Sequence, residues 1–271
     1  MKDYCLELAS KQTASNAKLN LMREYLQACI LRSMHEYGMF RATAFLGGTA
    51  LRFLYGLGRF SEDLDFSLTR QESGYSFSRM LARMKEDLLS AGYDLSVTYN
   101  DEKTVNHAFF RFGDLLYEAG ISPLKSRKLS IKLEIDTNPP QGAGLETRII
   151  NKYFPLSFLA YDLESLFAGK LHAVLSREYV KGRDYFDLGW YLSKWKDLNP
   201  NLKLLANALR QTKFKDTAPA KDTWRQAIFK AVHRTDWDMV KKDVENFLEN
   251  QADLNVFTKE NVLGLLKLPL K

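Results

Sequence analysis

The sequence predicts an α/β (α+β) fold with a mixed sheet in its N-terminal half, followed by a helical C-terminal half. Three observations support this prediction. Short apolar runs alternate with amphipathic segments in the first half, as they do when strands and helices share one core. From about residue 162 the apolar residues recur at helical spacing almost to the end. Between the halves, residues 138–142 (Asn-Pro-Pro-Gln-Gly) interrupt regular structure.

Five segments of the first half have the pattern of strands. Residues 42–46 are a short apolar run that ends in two glycines, which indicates a buried strand entering a tight turn. Residues 129–135 alternate apolar and polar side chains, which indicates a strand with one buried face. The predicted strands are 42–46, 64–68, 95–99, 105–112 and 129–135. The predicted helices are 17–38, 49–55, 75–91, 162–178, 183–195, 200–211, 220–231, 237–249 and 258–266.

The length and composition indicate a globular protein. A chain of 271 residues suits two modest domains, and we expect an α/β domain over 1–155 and a helical domain over 156–271. No apolar run approaches the roughly 20 residues of a membrane span, and the start lacks the apolar core of a signal peptide. We therefore expect a cytoplasmic protein with no membrane partner. The net charge of +6 fits a polyanionic substrate without identifying one.

Two neighbouring segments carry residue types that suit phosphate chemistry. Gly47, Gly48 and Thr49 follow the first predicted strand and open a helix. Glycines let the backbone approach a phosphate closely, and the free N–H groups of a helix start bind anions. Asp63 and Asp65 stand two residues apart at the start of the second predicted strand, so both carboxylates are expected on one face. Neighbouring carboxylates repel unless a cation lies between them, and Mg²⁺ prefers such oxygen ligands.

A third carboxylate would complete a two-metal site, in which the ions lie about 3.5–4 Å apart. Lys132, Glu134 and Asp136 share the polar face of the last predicted strand. An acidic residue between large aliphatic residues costs free energy if it stays unpaired, which indicates a function. The strand spacing leaves Glu134 and Asp136 as alternative ligands. The structural alternative is a solvent-exposed acidic turn followed by an amphipathic edge strand.

These segments belong to a longer series of motifs. They are residues 47–51 with 59–66, residues 132–135, residues 166–174, and Arg177 with residues 181–188. In content and order the motifs resemble the AbiEii/AbiGii toxin family of nucleotidyltransferases, which belongs to the DNA polymerase β superfamily and includes the MenT toxins of mycobacteria. The resemblance extends over about residues 44–192, and the helices after residue 195 do not share it.

This resemblance implies a bilobed nucleotidyltransferase fold and an enzyme that transfers a nucleoside monophosphate from an NTP with the help of Mg²⁺ or Mn²⁺. In MenT-type members the acceptor is the 3′ end of tRNA, and growth stops because that end can no longer be aminoacylated. The implied partners are an NTP, an RNA acceptor such as tRNA, and a cognate antitoxin. The implied biological setting is a type IV toxin–antitoxin or abortive-infection phage-defence system.

Carried over by position, the resemblance also assigns the site. The predicted catalytic residues are Asp63, Asp65, Lys170 and Asp184. The predicted metal ligands are Asp63, Asp65 and Glu134, with Asp136 as the alternative to Glu134. The predicted nucleotide-binding residues are Gly47, Gly48, Thr49, Arg59, Ser61 and Lys170. Lys170 would meet the triphosphate, and Asp184 would act on the nucleotide or orient Lys170, so that the helical domain contributes both residues to the cleft.

The helical half also permits purely structural interpretations. Lys170 falls near the apolar face of its predicted helix and could reach a phosphate, or it could be an ordinary surface lysine that extends to solvent. Gly169 interrupts a helical pattern at a cost relative to alanine, which suggests close packing there. Asp184 also suits a helix start, and Asp187, one turn later, could form a surface ion pair with Arg183.

Outside the motifs, the basic residues Lys125, Arg127 and Lys128 precede the second acidic strand. They could guide an RNA backbone toward the metals, or they could form an ordinary solvated edge. The histidines are scattered, and we do not expect any of them to be catalytic. They are His35, His107, His172 and His233.

Two other functions compete with RNA modification. The same metal site would serve a serine or tyrosine hydroxyl of a protein acceptor, and labelled NTP with separate RNA and protein pools distinguishes the two acceptors. The other possibility is a non-catalytic nucleotide-binding protein on the same fold. The intact Asp63, Asp65, Glu134 and Lys170 argue against it, because clustered acids are costly to keep without a metal.

Overall fold

The computed structural model describes residues 1–69, 75–216 and 218–267. The chain folds into two compact units, each of which draws on several parts of the sequence. Unit 1 comprises Met1–Gly56, Phe60–Pro139 and Thr147–Ala160. Unit 2 comprises Leu57–Arg59, Pro140–Glu146 and Tyr161–Lys271.

The described residues contain both classes of regular structure that the sequence predicts. The strands are β1 (Thr43–Leu46), β2 (Leu64–Leu68), β3 (Leu95–Asn100), β4 (Val105–Phe112), β5 (Leu129–Asp136), β6 (Leu145–Asn151) and β7 (Pro155–Tyr161). The helices before β7 are α1 (Lys2–Ser10), α2 (Ser15–Glu36), α3 (Gly47–Tyr55), α4 (Phe77–Ser90) and α5 (Leu115–Glu118). The helices after β7 are α6 (Leu163–Ser176), α7 (Gly182–Lys194), α8 (Leu202–Gln211), α9 (Trp224–Arg234), α10 (Trp237–Val244), α11 (Asp253–Val256) and α12 (Lys259–Lys267).

The strands form one mixed sheet in the order β3-β4-β5-β2-β1-β7-β6. The pairs β3/β4, β4/β5 and β2/β1 are antiparallel, whereas β5/β2 and β1/β7 are parallel. The mixed sheet and the helical C-terminal region confirm the predicted fold class. Two of the strands, β6 and β7, lie outside the predicted set. The positions along β6 alternate between exposed and half-buried, and none is buried. The strand therefore lacks the regular alternation of apolar and polar residues from which a strand with one buried face is predicted.

One face of the sheet is apolar and is covered by helices. Leu64 and Phe66 of β2 pair with Leu133 and Ile135 of β5, and all four side chains are buried. Helix α2 packs on β5 and on α4, and α4 packs on β3. The residues between these apolar positions point to the opposite side of the sheet, because side chains alternate along a strand. We call that side the polar face, and it carries the acidic residues.

Unit 2 is built around α6 and α7, which pack on each other. Helix α6 also contacts α8 and α9, and α7 also contacts α10 and α12. The Phe167 and Tyr191 rings stack with centroids 4.4 Å apart, beside the fully buried Trp224. Helix α7 begins at Gly182, where a Cβ would collide with the carbonyl oxygen of Val240, so the close packing with α10 requires glycine at this position. In the part of the chain that the structure describes, no helix has the length and apolarity to cross a membrane.

Candidate active site

Two acidic residues meet on the polar face because β2 and β5 run side by side in register. Asp65 pairs with Glu134, and Ser67 pairs with Asp136. The Glu134 side chain is 28% exposed, which keeps it accessible to ions. Asp136 lies one pair further along, where burial raises its pKa and the Asn138 backbone N–H donates to its Oδ1 at 2.9 Å. The register therefore sets Glu134, and not Asp136, directly beside Asp65.

The backbone of Gly47 lies against the Asp65 carboxylate. Leu46 pairs with Asp65 across β1 and β2, which brings the start of α3 to this acid. Gly47 has a φ of 82°, a left-handed conformation that favours glycine. A Cβ at this position would collide with Asp65 Oδ2. The glycine thus makes room for the carboxylate, at a helix start whose first N–H groups lack intrahelical partners.

Thr49 fixes the segment that contains Asp63. Its side chain is fully buried, and its hydroxyl donates a hydrogen bond to the Asp63 carbonyl oxygen. Ser61 lies on the same segment, where its carbonyl oxygen accepts a hydrogen bond from the Gln27 amide at 3.1 Å. Asp63 itself precedes β2 by one residue, so the argument from a shared strand face does not extend to it. Contact of Thr49 and Ser61 with a nucleotide stays a prediction.

A buried ion pair that the sequence did not reveal anchors α3. The Arg52 guanidinium hydrogen-bonds to Glu24, and both side chains are almost fully buried. Lys152 Nζ at 2.9 Å and the Tyr153 hydroxyl at 2.8 Å donate to the same carboxylate. Buried charges need this degree of pairing to be tolerated. The cluster holds the helix whose first residue, Gly47, touches Asp65.

Unit 2 contains a second group of charges, centred on the fully buried Asp187. Arg59 Nε and Nη2 each donate to a different Asp187 carboxylate oxygen at 2.6 Å. Lys170 Nζ lies 2.7 Å from Asp187 Oδ2 and 3.0 Å from Asp184 Oδ1. Arg177 Nε lies 3.0 Å from the other Asp184 oxygen. In this structure Arg59 holds Asp187, and its predicted contact with a nucleotide stays a prediction.

The charges around Lys170 and Asp184 shift the pKa of both groups in the direction that favours their ionised forms. Burial acts to lower the pKa of Lys170, but the carboxylates of Asp187 and Asp184 outweigh it, so the pKa lies above its ordinary value. Burial acts to raise the pKa of Asp184, but Lys170 and Arg177 outweigh it, so that pKa lies below its ordinary value. Asp184 thus forms an ion pair with Lys170, and the catalytic roles of both residues stay predictions.

Lys181 is a basic residue of this group that sequence reasoning missed. It stands at the N-cap of α7, and burial together with the Arg183 guanidinium lowers its pKa. Arg177 is a third exposed. With Lys170, these cations surround Asp184 with more positive than negative charge, which suits a phosphate ligand. In the sequence, this basic cluster is indicated by Arg177 and Lys181, which precede Asp184 within one short segment.

Three structural expectations for this region are wrong. Asp187 does not pair with Arg183, whose Nε lies 3.6 Å from Asp243 Oδ2 instead. Lys170 is not a surface lysine, since its side chain is 12% exposed. Gly169 is not required by close packing, because a Cβ there would meet no atom within 4 Å.

The structure brings the predicted residues together in two separate sets. Gly47 and Glu134 flank Asp65 in unit 1, and Lys170 meets Asp184 in unit 2. In residues 1–69, 75–216 and 218–267, no three His, Cys, Asp or Glu side chains are grouped closely enough to hold a metal. A pair of carboxylates is still a fitting donor set, because Mg²⁺ is commonly bound through one or two carboxylates together with substrate phosphates.

The polar face also carries one of the four histidines that we do not expect to be catalytic. His107 of β4 pairs in register with Glu134 and is half-buried. Asp65, Glu134 and His107 therefore occupy matching register positions on three adjacent strands, although among the described residues their side chains do not form a metal-binding group. The strand order, which the sequence does not reveal, is what brings this histidine to the acids.

A cavity of about 540 Å³ lies at the opposite end of β1 from the acids. Its lining includes His35, Arg41, Arg79 and Arg83. None of the predicted site residues lines it. The acids on the polar face, and not this cavity, therefore define the candidate active site.

Comparisons with known proteins identify a family and a fold. Residues 30–258 match the family described as nucleotidyl transferase AbiEii toxin, type IV toxin–antitoxin system. No curated protein matches the chain. A protein from H. pylori described as a nucleotidyltransferase is 23% identical, with a TM-score of 0.53 and 90% of each chain covered. MenT4, a nucleotidyltransferase toxin from Mycobacterium tuberculosis, is 13% identical, with a TM-score of 0.58, and covers 99% of this chain and 90% of its own.

At these identities the two solved structures establish the fold alone. The family match spans most of the chain and includes the acids of the polar face and the charged group around Asp187. The protein therefore belongs to the AbiEii family of nucleotidyl transferase toxins of type IV toxin–antitoxin systems.

Proposed function

We propose that this nucleotidyltransferase toxin is a metal-dependent enzyme that transfers a nucleoside monophosphate from an NTP to RNA, with the 3′ end of tRNA as the acceptor. The terminal hydroxyl oxygen of the acceptor would form a bond to the α-phosphorus and lose its proton to solvent, while the bond from the α-phosphorus to the oxygen that bridges to the β-phosphate breaks and pyrophosphate leaves. The observation that supports this most directly is the register of β2 and β5, which sets Asp65 beside Glu134. Asp63, one residue before β2, is the remaining proposed ligand. The net charge of +6 is consistent with a polyanionic acceptor.

Asp65 and Glu134, the pair in register, would hold Mg²⁺ or Mn²⁺ through carboxylate oxygens, the ligands that such cations prefer. Asp63 would become the third ligand when the cation draws its carboxylate toward this pair. When bound there, the cation would stabilise the negative charge of the transferring phosphate. The Lys132 ammonium lies 2.7 Å from Glu134 Oε1 and compensates that carboxylate before a cation arrives. Lys132 is 31% exposed, so it can move into solvent when the cation takes its place.

The remaining residues would bind and orient the nucleotide. The first N–H groups of α3, which begins at Gly47, would donate to phosphate oxygens. Lys170, oriented by Asp184 and Asp187, would present a point charge to the triphosphate. The excess positive charge contributed by Lys181 and its neighbours supports this role. Membership of a type IV toxin family further supports a cognate antitoxin as the protein partner, and we expect both proteins to act in the cytoplasm.

The direct test is transfer of α-labelled NTP to total bacterial RNA and, separately, to bacterial protein, with and without a divalent cation. We expect label in the tRNA band that requires Mg²⁺ or Mn²⁺ and fades as salt rises, because each neutralised phosphate releases counterions. Label that enters only protein would replace the RNA acceptor with a protein hydroxyl. Label that persists in the presence of a chelator would remove the metal from the proposal.

A matched pair of variants tests the choice between the two acids of β5. Glu134→Gln should abolish transfer, because its carboxylate lies in register with Asp65. Asp136→Asn should retain transfer, because Asp136 lies one pair further along the strand and accepts a hydrogen bond from the Asn138 backbone. The reverse result would make Asp136 the ligand and contradict the register argument.

A further inference from the structure

The polar face extends beyond the acids along β4. His107, Phe109 and Arg111 are half-buried and alternate with Ala108 and Phe110, which are fully buried on the apolar face. In register, His107 pairs with Glu134 and Phe109 pairs with Lys132. His107, Phe109 and Arg111, which we call the β4 row, therefore lead away from Glu134 across the polar face.

Cations surround the aromatic ring in the middle of the β4 row. The Arg111 guanidinium lies 5.0 Å from the centroid of the Phe109 ring, and Lys132 Nζ lies 5.9 Å from it. The His107 ring is 5.9 Å away and nearly perpendicular. Phe109 is not part of the core. The core side chains of this part of β4 are those of its neighbours Ala108 and Phe110. A half-exposed ring between cations suits a ligand that has both flat apolar surfaces and negative charge.

Positive charge continues from the β4 row toward the start of β5. Arg111 donates to the Thr98 hydroxyl at 2.6 Å, and in the described part of the chain it forms no ion pair with a carboxylate. Ser96 pairs with Arg111, and Lys128 Nζ lies 3.4 Å from Ser96 Oγ. The β4 row thus joins Glu134 at one end to the basic residues that precede β5 at the other.

We propose that the β4 row binds the single-stranded end of the RNA acceptor, with Phe109 stacked on a base and Arg111 in contact with a backbone phosphate. This inference rests on the proposed function, since it brings the terminal hydroxyl of the acceptor to the acids. Proteins that bind single strands combine an aromatic stacking surface with cations that follow the backbone. The row has both, and it ends at His107 beside Glu134, where the transferred nucleotide would be received.

Binding is measured first without NTP and without a divalent cation, so that it does not depend on transfer. The probe is a short single-stranded RNA with 2-aminopurine near its 3′ end, whose fluorescence is quenched when the base stacks on an aromatic ring. Phe109→Ala should weaken binding roughly 5- to 150-fold, the range measured for loss of one stacking contact. Phe109→Trp should retain binding, and Phe109→Leu, which keeps an apolar side chain, should lose the quenching.

Tyr99→Ala is the matched control. Tyr99 is an exposed aromatic residue on the adjacent strand, but it pairs with Ala108 and lies on the opposite face, where it packs on Phe77. Its removal should leave RNA binding unchanged. Arg111→Gln should reduce the dependence of log Kd on log salt by about one phosphate contact. If Phe109→Ala and Tyr99→Ala both bind like the wild type, the β4 row is not an RNA site.

Transfer kinetics then distinguish failure of this inference from failure of the proposed function. With RNA labelling in place, Phe109→Ala should raise the KM for RNA and leave the KM for NTP unchanged. An unchanged KM for RNA would overturn the inference and leave the transferase assignment intact. Weakened RNA binding with no labelled RNA in any variant would overturn the acceptor role of the row together with the proposed function.

Discussion

The acids of the sheet and the acids of the helical unit differ in their surroundings. Glu134 is 28% exposed, and its partner Lys132 is equally close to solvent. Asp187 is fully buried and is paired with Arg59 and Lys170 at 2.6 to 2.7 Å. A carboxylate near water can exchange its partner at little cost, whereas a buried one leaves uncompensated charges when it is removed. The comparison separates acids that are available to a ligand from acids that stabilise the fold.

The largest effect that separates the two groups should be on activity. Asp65→Asn should lower nucleotide transfer by on the order of a hundredfold or more, because a proposed metal ligand is lost. The melting temperature should stay the same or rise, since a carboxylate beside Glu134 is neutralised. Ser67→Ala, at the next position of β2 on the same face, is the control and should transfer normally. Unfolding of Asp65→Asn would place this acid with the structural group.

The next effect is on stability and concerns the buried group. Asp187→Ala should reduce the free energy of unfolding by about 3–5 kcal/mol, because Arg59 and Lys170 would stay buried after losing the carboxylate that both contact at 2.6 to 2.7 Å. Urea denaturation measures this change. Asp243→Ala removes the third-exposed partner of Arg183 and should cost less than about 1 kcal/mol. Equal losses in the two variants would show that burial does not separate these ion pairs.

A smaller effect should depend on pH. The pKa of Asp184 is held below its ordinary value of about 3.9, so this carboxylate stabilises the folded state above that pH. Its contribution is lost as the pH falls through the folded-state pKa. Wild type should therefore be more stable than Asp184→Asn at neutral pH, and the difference should shrink below about pH 4. Denaturation series down to about pH 3 test this, and a constant difference would contradict it.

The smallest effects come from two glycine substitutions with opposite signs. Gly169→Ala should stabilise the protein by about 0.5–1 kcal/mol, because an added Cβ meets no atom and alanine favours a helix. Gly47→Ala should destabilise it by more than about 1 kcal/mol, because a left-handed conformation is forced on alanine and the Asp65 carboxylate is displaced. Transfer should fall only in Gly47→Ala. Thermal denaturation and a transfer assay of both variants give the comparison, and equal signs would refute it.

Local chemistry made part of the candidate site predictable. Gly47 and Asp65 stand in short motifs that a sequence shows directly, and the structure places the backbone of Gly47 against the Asp65 carboxylate. The choice between Glu134 and Asp136 depends on strand register, which is set by tertiary pairing. The partner of Arg59 could not be predicted for the same reason, because Asp187 stands 128 residues away in the chain and only tertiary packing brings the two together.

The fold was predictable where burial leaves a pattern in the sequence. β5 alternates buried and half-buried residues, and its predicted bounds differ from the observed ones by one residue. β6 has no such alternation, and its Ile149 is 79% exposed. An edge strand with little burial on either face leaves no period-two pattern to read. The sheet is therefore larger than the sequence predicts, although its class is the predicted one.

The pairing of β2 with β5 also sets an order of events on the ribosome. β2 is synthesised long before β5, so Asp65 lacks its acidic neighbour until Glu134 has left the exit tunnel. The interval is longer for Arg59, because its partner Asp187 is synthesised only with α7. Any translation product that stops before α7 lacks the carboxylate that accepts two hydrogen bonds from Arg59. Premature termination or a frameshift before α7 should therefore yield a polypeptide that cannot form this buried ion pair and is less stable than the full chain.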